Sequence, residues 1–428
     1  MTQDIFRLTA CEAADRIAAG ALSPVAYAEA LLERIAAREP EVQAFETLDT
    51  EGWLAAARAP VPGALSGVPF GAKDIIDSAG LPTRFGSPIH HSNVPQTDAA
   101  CISALKIGGG ILAGKMVTTE FANVTPGKTR NPHDSSRTPG GSSSGSAAAV
   151  AAGMIPLAIG TQTTSSTIRP AAYCGVWGYV PSAGELPLWG VRQSSSTLDR
   201  LGLFARSAED IMLMRYQLQG RPRVTFEPAG GALRIGMCRT GLWDQVDGPG
   251  QALFEQSAEA LSGAGHLVSD VELPSGIADL AATHREISSW EFVRNYAYEI
   301  DRFPDQISAA LRQGRIADGL SCSWERYSAA IECARQAQGV FADFMQDWDL
   351  LICPAAAGEA PGSDTTGNFA FSAGWTLLHG PALALPCGTG PNGLPLSLQL
   401  VGPPRGDDRF VRVSAAISRV LDVRCTPV

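Results

Sequence analysis

The sequence has no block of consecutive basic residues, and its acidic residues outnumber the basic ones by 43 to 33. The formal net charge is −10 at pH 7. Surfaces that bind nucleic acids are usually basic, and docking on anionic lipid requires a cluster of lysines and arginines. The composition therefore predicts neither a nucleic-acid partner nor a membrane partner.

The sequence also lacks a hydrophobic run long enough to cross a bilayer. The longest apolar segment, from Ala147 to Ile159, is interrupted by Gly153 and Pro156 and is shorter than the roughly 20 residues that a spanning helix needs. The first residues have neither the basic region nor the apolar stretch of a secretory signal. Nine cysteines without a C-x-x-C pair are typical of reduced thiols. We therefore expect a cytoplasmic protein.

Patterns that would indicate a metal or a nucleotide are missing as well. The six histidines are scattered, and His90 and His91 have no cysteine or acidic residue at metal-ligand spacing. The serine cluster that starts at Ser142 has no P-loop lysine. No Gly-x-Ser-x-Gly elbow is combined with a well-placed later histidine, which disfavours a Ser-His-Asp hydrolase. The sequence predicts no metal and no cofactor.

Apolar and turn-forming residues are abundant instead. The chain has 428 residues, of which 45% are hydrophobic, 45 are glycine and 29 are proline. This length is enough for a large core in one or two domains. The composition is typical of a globular enzyme with many turns.

The least ordinary stretch runs from Thr138 to Gly153. It contains two adjacent glycines, Gly140 and Gly141, then a serine cluster and an alanine-rich run. Glycine permits backbone angles that other residues resist, and alanine favours helix. Gly153 stands where the C-terminal cap of that helix would fall. The pattern predicts a tight turn, with Ser142 in it, that leads into a helix.

Two further segments stand out on either side of this stretch. Residues 161–167 form a second cluster of hydroxyl side chains, followed by Arg169 and Pro170, and residues 67–74 form an apolar run that contains Lys73. Burial lowers the pKa of a lysine because it disfavours the charged form, and a neutral lysine can act as a general base. From the residue types alone, a structural ion pair at Lys73 and ordinary serine-rich turns remain open alternatives.

The lysine, the Gly-Gly-Ser turn and the later Ser-x-x-Arg-Pro, in this order, resemble the amidase signature family of Ser–cis-Ser–Lys hydrolases. This family includes fatty acid amide hydrolase and the A subunit of the glutamyl-tRNA amidotransferase. The resemblance extends from about residue 5 to about residue 425 and is weakest over residues 277–348. It implies an α/β fold in which helices cover both faces of a large mixed central β-sheet (α/β/α).

Carried over residue by residue, the resemblance implies three catalytic residues. Lys73 matches the lysine of the family, Ser142 matches the serine that follows a cis peptide bond, and Ser166 matches the nucleophile. The family has a proline four residues after its nucleophile. Pro170 satisfies this spacing for Ser166 and not for Ser165.

The resemblance also implies an oxyanion hole made of backbone N–H groups. These groups belong to Thr163, Thr164, Ser165 and Ser166. The family usually has Gly-Gly or Ala-Gly before its nucleophile, whereas this chain has Thr164 and Ser165. Because glycine allows geometries that other residues resist, the departure raises a catalytically impaired protein as an alternative.

The same resemblance predicts how the chain is divided into a domain and its regions. We expect residues 1–428 to form one amidase signature domain, with N-terminal helices in residues 1–60 and a variable helical region at 277–348 near the substrate pocket. Thr9 and Glu12 form a capping-box pattern, and Ser23 precedes a proline at a helix start. These N-terminal helices could pair two copies into a homodimer. Most aromatic residues of 277–348 are expected to pack the helices together.

Three functions remain open from the sequence. The first is an amide-bond hydrolase that works through an acyl-enzyme on small amides, with aryl or apolar groups favoured and with carbamates (urethanase activity) or esters as further substrates. The second is the glutaminase subunit of an amidotransferase, which would need a partner. The third is a non-catalytic or impaired protein on the same fold.

Overall fold

The computed structural model describes residues 5–428, and its centre is an 11-stranded sheet. The strand order is β1-β3-β2-β4-β6-β5-β10-β11-β9-β7-β8. The strands are β1 (Phe45–Leu48), β2 (Pro69–Lys73), β3 (Ile111–Met116), β4 (Leu157–Gln162), β5 (Trp177–Val180), β6 (Arg200–Ala205), β7 (Arg234–Met237), β8 (Leu267–Asp270), β9 (Leu350–Pro354), β10 (Ala382–Thr389) and β11 (Pro395–Val401).

The sheet is mixed, as the resemblance implied. β3, β2 and β4 run parallel, as do β9, β7 and β8, whereas the strands between these two groups pair antiparallel. Every residue of β2, β3 and β4 is buried. Strands buried on both faces need cover on both sides, and helices provide it, so the predicted α/β/α fold is confirmed.

Sixteen α-helices among the described residues surround this sheet, and short 3-10 turns connect several of them. The helices are α1 (Ala10–Ala18), α2 (Pro24–Val42), α3 (Thr50–Arg58), α4 (Ala100–Ile107), α5 (Ser144–Ala151), α6 (Ile168–Cys174), α7 (Ala208–Leu218), α8 (Gly248–Gly263), α9 (Ser275–Ala278), α10 (Ala281–Asn295), α11 (Ala297–Arg302), α12 (Ala309–Leu311), α13 (Ala317–Ser321), α14 (Trp324–Phe344), α15 (Ala370–Leu377) and α16 (Asp407–Val420). Among the described residues, no helix has both the length and the apolarity to cross a membrane.

Local sequence signals set the starts of the first two helices. Thr9 and Glu12 form both hydrogen bonds of a capping box at α1, and the Ser23 side chain accepts from the backbone N–H of Ala26 at the start of α2. Such caps satisfy backbone donors that have no partner inside the helix. These two predicted helix starts are confirmed.

The segment 1–60 is not wholly helical. β1 follows α2 and pairs antiparallel with β3, with Phe45 opposite Met116. The partner strand lies far along the chain, so the local pattern of residues 1–60 did not indicate this strand. Residues 1–4 of that segment lie outside the described residues.

The register of two parallel strands determines where the catalytic candidates meet. Ala72 of β2 lies opposite Ile159 of β4, so the carboxyl ends of both strands reach the same edge of the sheet. Lys73 ends β2, and the second hydroxyl cluster begins at Thr161 near the end of β4. The turn before α5 lies against this edge, because Ser143 Oγ donates to the Thr161 carbonyl at 3.3 Å.

Gly140 is a position where the fold requires glycine. Its φ angle is +80°, and a Cβ there would lie 2.8 Å from Pro170 Cα. Gly184 has φ +77° with nothing within 4 Å of such a Cβ, which makes it a matched control. We expect Gly184→Ala to lower the free energy of unfolding by about 1–2 kcal/mol, the cost of the left-handed backbone. Gly140→Ala should lower it by at least about 2 kcal/mol more, because backbone must also move.

Urea unfolding of the two variants and the parent chain measures these free energies. Equal losses for Gly140→Ala and Gly184→Ala would contradict the tight packing of the turn against Pro170.

Candidate active site

Lys73 lies at the bottom of the site and has no exposure to solvent. Its Nζ lies 2.6 Å from Ser142 Oγ and 2.9 Å from Thr161 Oγ1. Both partners are neutral hydroxyl groups, and no carboxylate of the described residues forms an ion pair with the amine. Burial lowers the pKa of Lys73 to about 7, and the more distant charge of Asp199 partly opposes this shift. A large fraction of Lys73 is therefore neutral near pH 7, as a general base must be.

The turn that carries Ser142 contains a cis peptide bond between Gly141 and Ser142. Arg169, which lies in α6 and is buried, donates from Nη2 to the Gly141 carbonyl at 2.6 Å and from Nη1 to the Gly367 carbonyl at 2.9 Å. The Thr119 N–H donates to the Ser142 carbonyl at 3.4 Å. The bonds from Arg169 and Thr119 fix the backbone on both sides of Ser142, and Arg169 is itself anchored on Gly367.

Residues 163–166 form a second turn, and each of its four backbone carbonyl groups accepts a hydrogen bond. His284 Nε2 donates to the Thr163 carbonyl at 2.9 Å, and Thr376 Oγ1 donates to the Thr164 carbonyl at 3.1 Å. The carbonyls of the two following serines accept from the N–H groups of Arg169 at 3.1 Å and of Ser143 at 3.4 Å. Because His284 is buried, its pKa is lowered to about 4, so the ring donates as a neutral imidazole.

The N–H groups of the same turn are unpaired. Among residues 5–428, no acceptor receives the backbone N–H of Thr163, Thr164, Ser165 or Ser166. Buried backbone donors are normally paired. Four successive free donors beside a nucleophile candidate are the arrangement that an oxyanion hole requires.

The two adjacent serines differ in their surroundings. Ser165 is 1% exposed, and its Oγ donates to Ser372 Oγ at 3.2 Å. Ser166 is 9% exposed, and within the described chain its Oγ forms no hydrogen bond. A nucleophile must be reachable and must not be tied to a structural acceptor, so the geometry favours Ser166.

The missing glycines before Ser166 do not distort the turn. Neither Thr164 nor Ser165 has a positive φ angle. Residues other than glycine adopt negative φ angles without strain. The departure from the family pattern is therefore compatible with the backbone that the N–H groups need.

Asp199 binds this turn directly and acts on Lys73 through its charge. Its carboxylate accepts a short hydrogen bond from the Thr163 hydroxyl and another from the Ser194 N–H at 2.6 Å. Burial raises the pKa of Asp199 to about 6. Near neutral pH the carboxylate is mostly ionised, so it fixes the orientation of Thr163 and stabilises charge on Lys73 from a distance.

Of the predicted residues, Lys73 and Ser142 are in direct contact. Ser166 is joined to them through backbone, by the hydrogen bond from the Ser143 N–H to its carbonyl. Among the described residues, no hydrogen bond links Ser142 Oγ to Ser166 Oγ. Hydrogen bonds between catalytic groups are often loose before substrate binds.

Comparison with known proteins identifies the family of the chain. The amidase family model matches residues 26–411. The chain belongs to the amidase family.

The relatives of this amidase family member match nearly its whole length. The A subunit of glutamyl-tRNA(Gln) amidotransferase from Acidothermus cellulolyticus is 33% identical, with 97% of this chain and 94% of the relative covered. Among solved structures, an amidase is 27% identical with a TM-score of 0.87, covering 96% of this chain and 99% of the other. The peptide amidase from Stenotrophomonas maltophilia is 26% identical with a TM-score of 0.84, covering 98% of both. Family and neighbours support an amidohydrolase activity.

Several residues of this amidase site were not found from the sequence. Thr161 and Arg169 lie inside the motifs that carry the resemblance, so the signal existed and only their contacts were unknown. His284 lies 121 residues from the Thr163 carbonyl that it binds, and no local pattern marks it. Ser372 and Thr376 stand one helical turn apart on α15, which gives no sign of a link to residues 164 and 165.

The low pKa of Lys73 can be tested without any substrate. In this amidase, we expect the Lys73 amine to titrate near 7, because burial removes its hydration. Replacing Asp199 by Asn removes the nearby negative charge and should lower the pKa of Lys73 further. NMR titration of protein with isotope-labelled lysines measures both values, and Lys73→Met identifies the resonance. A Lys73 signal that stays protonated at pH 9 would contradict the assignment.

Proposed function

We propose that this protein hydrolyses small amides with a Ser166–Ser142–Lys73 triad and an acyl-enzyme intermediate. The observation that carries this proposal is the buried contact of 2.6 Å between Lys73 Nζ and Ser142 Oγ, with the pKa of the lysine lowered to about 7. A hydroxyl hydrogen-bonded to a neutral amine can lose its proton at neutral pH. Among residues 5–428, Lys73 forms no ion pair, which disfavours the alternative of a purely structural role.

The proposed chemistry is a proton relay. Neutral Lys73 takes the proton of Ser142, and Ser142 takes the proton of Ser166 as Ser166 Oγ attacks the substrate carbonyl. The relay then returns a proton to the leaving amine, and water cleaves the ester formed at Ser166. Formation of a hydrogen bond between the two serine hydroxyls is expected when substrate enters and excludes water.

The oxyanion that forms during attack is assigned to the free N–H groups of residues 163–166. Their carbonyl groups are held by His284, Thr376 and the backbone of two other segments. Donors fixed in advance need no reorganisation when charge develops, and one such donor typically contributes about 3 kcal/mol to lowering the barrier. His284 and Thr376 act as positioning residues for this hole.

An apolar cavity beside helix α15 is the observation that favours an aryl or apolar group on the substrate, and its lining contains neither the triad residues nor residues 163–166. This cavity of about 280 Å³ is lined by α15 and residues 273–281, including Leu280, Phe371 and Trp375. The same helix α15 carries Ser372 and Thr376, which bind the turn. Aryl amides are therefore proposed as substrates, and aryl carbamates as further ones, because attack on either carbonyl uses the same groups.

The alternative function is that of a glutaminase subunit in an amidotransferase. The similarity to the A subunit of glutamyl-tRNA(Gln) amidotransferase, at 33% identity over nearly the whole chain, favours it. Such a subunit would need a partner and would release ammonia from glutamine. Turnover of aryl amides by the purified chain favours the stand-alone hydrolase, whereas activity on glutamine alone favours the subunit.

Replacing Ser166 by Ala should abolish amide and carbamate hydrolysis, because the attacking oxygen is lost. Ser165→Ala is the matched control: its Oγ is tied to Ser372, so we expect turnover within about tenfold of the parent. Release of the amine from aryl amides, aliphatic amides, aryl carbamates and glutamine measures the activity. A fluorophosphonate should label the parent and the control and not Ser166→Ala.

The opposite pattern, with activity lost in Ser165→Ala and kept in Ser166→Ala, would overturn the choice of nucleophile. A parent protein that neither turns over any substrate nor reacts with the fluorophosphonate would show the impaired alternative to be correct.

The pH dependence of kcat/KM should report Lys73. The base must be neutral, so below its pKa of about 7 activity should fall about tenfold per pH unit and above it reach a plateau. In Asp199→Asn the falling limb should move to lower pH, because the charge that raises the pKa of Lys73 is gone. Rates measured from about pH 5 to 9 test this. A flat profile would exclude Lys73 as the base.

A further inference from the structure

Gln162 is the last residue of β4, and its side chain spans the second turn from one end to the other. It is 1% exposed. Its Oε1 accepts from the backbone N–H groups of Thr167 at 3.0 Å and of Ile168 at 3.1 Å. Its Nε2 donates to Thr376 Oγ1 at 3.0 Å. One side chain therefore joins the two ends of residues 163–166 and links them to α15.

The two backbone donors determine the orientation of this amide. An N–H group needs an acceptor, so the oxygen of the Gln162 amide faces residues 167–168 and the nitrogen faces Thr376. The amide nitrogen can only donate, so it occupies a lone pair of the Thr376 hydroxyl and leaves the hydroxyl proton for a carbonyl. The carbonyls within reach are those of Thr164 at 3.1 Å and Ser372 at 3.2 Å. Gln162 thereby supports the bond from Thr376 to the turn.

The first arm of Gln162 fixes the peptide unit that follows Ser166. The C=O and N–H groups of a trans peptide unit lie in one plane and point in opposite directions. The Ser166 carbonyl accepts from the Ser143 N–H at 3.4 Å, and the N–H of the same unit, which belongs to Thr167, donates to Gln162. Because both ends of this unit are held, the backbone that carries the Ser166 hydroxyl is fixed.

The second arm of Gln162 acts on a donor of the oxyanion hole. The Thr164 carbonyl and the Ser165 N–H belong to one peptide unit, so the bond from Thr376 to the carbonyl turns the N–H to the opposite side. The N–H groups of residues 167–168 are bound by Gln162, so the row of free N–H groups ends at Ser166. Gln162 thus acts on the nucleophile candidate and on its neighbouring donor.

A second buried glutamine on the same helix provides the contrast. Gln399 of β11 has no exposure to solvent, and its Oε1 accepts from Ser372 Oγ at 2.7 Å. Its Nε2 donates to the Phe371 carbonyl at 3.3 Å and to Cys353 Sγ at 3.2 Å. The Gln399 side chain therefore has three hydrogen bonds, as many as the first glutamine, but none of them goes to the second turn.

We propose that Gln162 is a positioning residue for amide hydrolysis. Its carboxamide holds the peptide unit after Ser166 directly and, through Thr376, keeps the Ser165 N–H directed at the oxyanion. This inference rests on the proposed function and adds to it a residue that does not touch the substrate. A carboxamide suits this place because it accepts and donates at once without bringing a charge.

The test compares methionine substitutions of the two buried glutamines. Gln162→Met keeps the length of the side chain and removes the amide. We expect kcat for the aryl amide that the parent hydrolyses fastest to fall by about 100-fold, typical of one lost oxyanion donor. KM should stay within about threefold, because substrate binding in the ground state does not use this bond. The rate of fluorophosphonate labelling should fall with kcat.

Gln399→Met is the matched control, since it removes the same number of hydrogen bonds from an equally buried side chain. We expect it to lower the melting temperature as much as Gln162→Met does and to keep kcat within about tenfold of the parent. Equal losses of kcat in the two variants would show that Gln162 is only structural, and would leave amide hydrolysis standing.

A double-mutant cycle tests the arm that acts through Thr376. Thr376→Val removes the hydroxyl that holds the Thr164 carbonyl and should lower kcat on its own. Adding Gln162→Met should then cost less than it costs in the parent, because residues that act through one another are not additive. Losses in kcat that multiply fully would show independent action and overturn this arm.

Gln162→Glu decides the inference if Gln162→Met does not fold. A carboxylate accepts both N–H groups as the amide does, but it cannot donate to Thr376. Arg200 lies opposite residue 162 on β6, which favours the ionised form. At pH 9, kcat should therefore fall at least about tenfold with KM retained, and an unchanged kcat would overturn the inference. A parent protein that shows neither turnover nor labelling would overturn the hydrolase, and this inference with it.

Discussion

The candidate active site depends on one constraint: the Lys73 amine is buried in the protein, and among the described residues no carboxylate contacts it. Burial of an ammonium group is expensive unless an opposite charge is adjacent. Here the immediate partners are two hydroxyl groups, of Ser142 and Thr161. The neutral form is therefore stabilised relative to the charged one. The sheet provides this enclosure, because every residue of β2 and of its two neighbouring strands is buried.

A second buried lysine, Lys115, shows that burial alone does not make a lysine suited to proton transfer. Lys115 of β3 is equally buried, but it has an ion pair with Asp74 at 3.3 Å and donates to the Ile76 carbonyl at 2.6 Å. Burial lowers the pKa of Lys115 too, and the charge of Asp74 opposes that shift. The two lysines lie at or next to the carboxyl ends of adjacent parallel strands. Only Lys73 lies beside a serine whose backbone is fixed by bonds from other segments, so only Lys73 is suited to move protons.

In the second turn, the backbone carbonyl groups are hydrogen-bonded and the backbone N–H groups are free. Its four carbonyl groups are bound by partners from α6, α10, α15 and the residue that precedes α5. The N–H groups of Thr163 to Ser166 are thereby left without protein acceptors in the described chain. Threonine and serine can stand where the family pattern has glycine, because neither Thr164 nor Ser165 has a positive φ angle. Helices far away in the sequence thus fix the backbone of residues 163–166, whose geometry was in doubt because the glycines of the family pattern are missing.

The sequence by itself, through its resemblance to the amidase signature family, predicted the class of fold and the candidate residues of the reaction. Lys73, Ser142, Ser166 and the large mixed sheet were carried over from that family, because the order and spacing of the motifs in the chain match it. Only the tertiary structure decided that Ser165 is tied to Ser372 and that His284 and Thr376 hold the turn. These facts depend on residues that are between 121 and 212 positions apart in the chain. Burial, pairing and pKa are properties of the packed environment, and no local pattern encodes them.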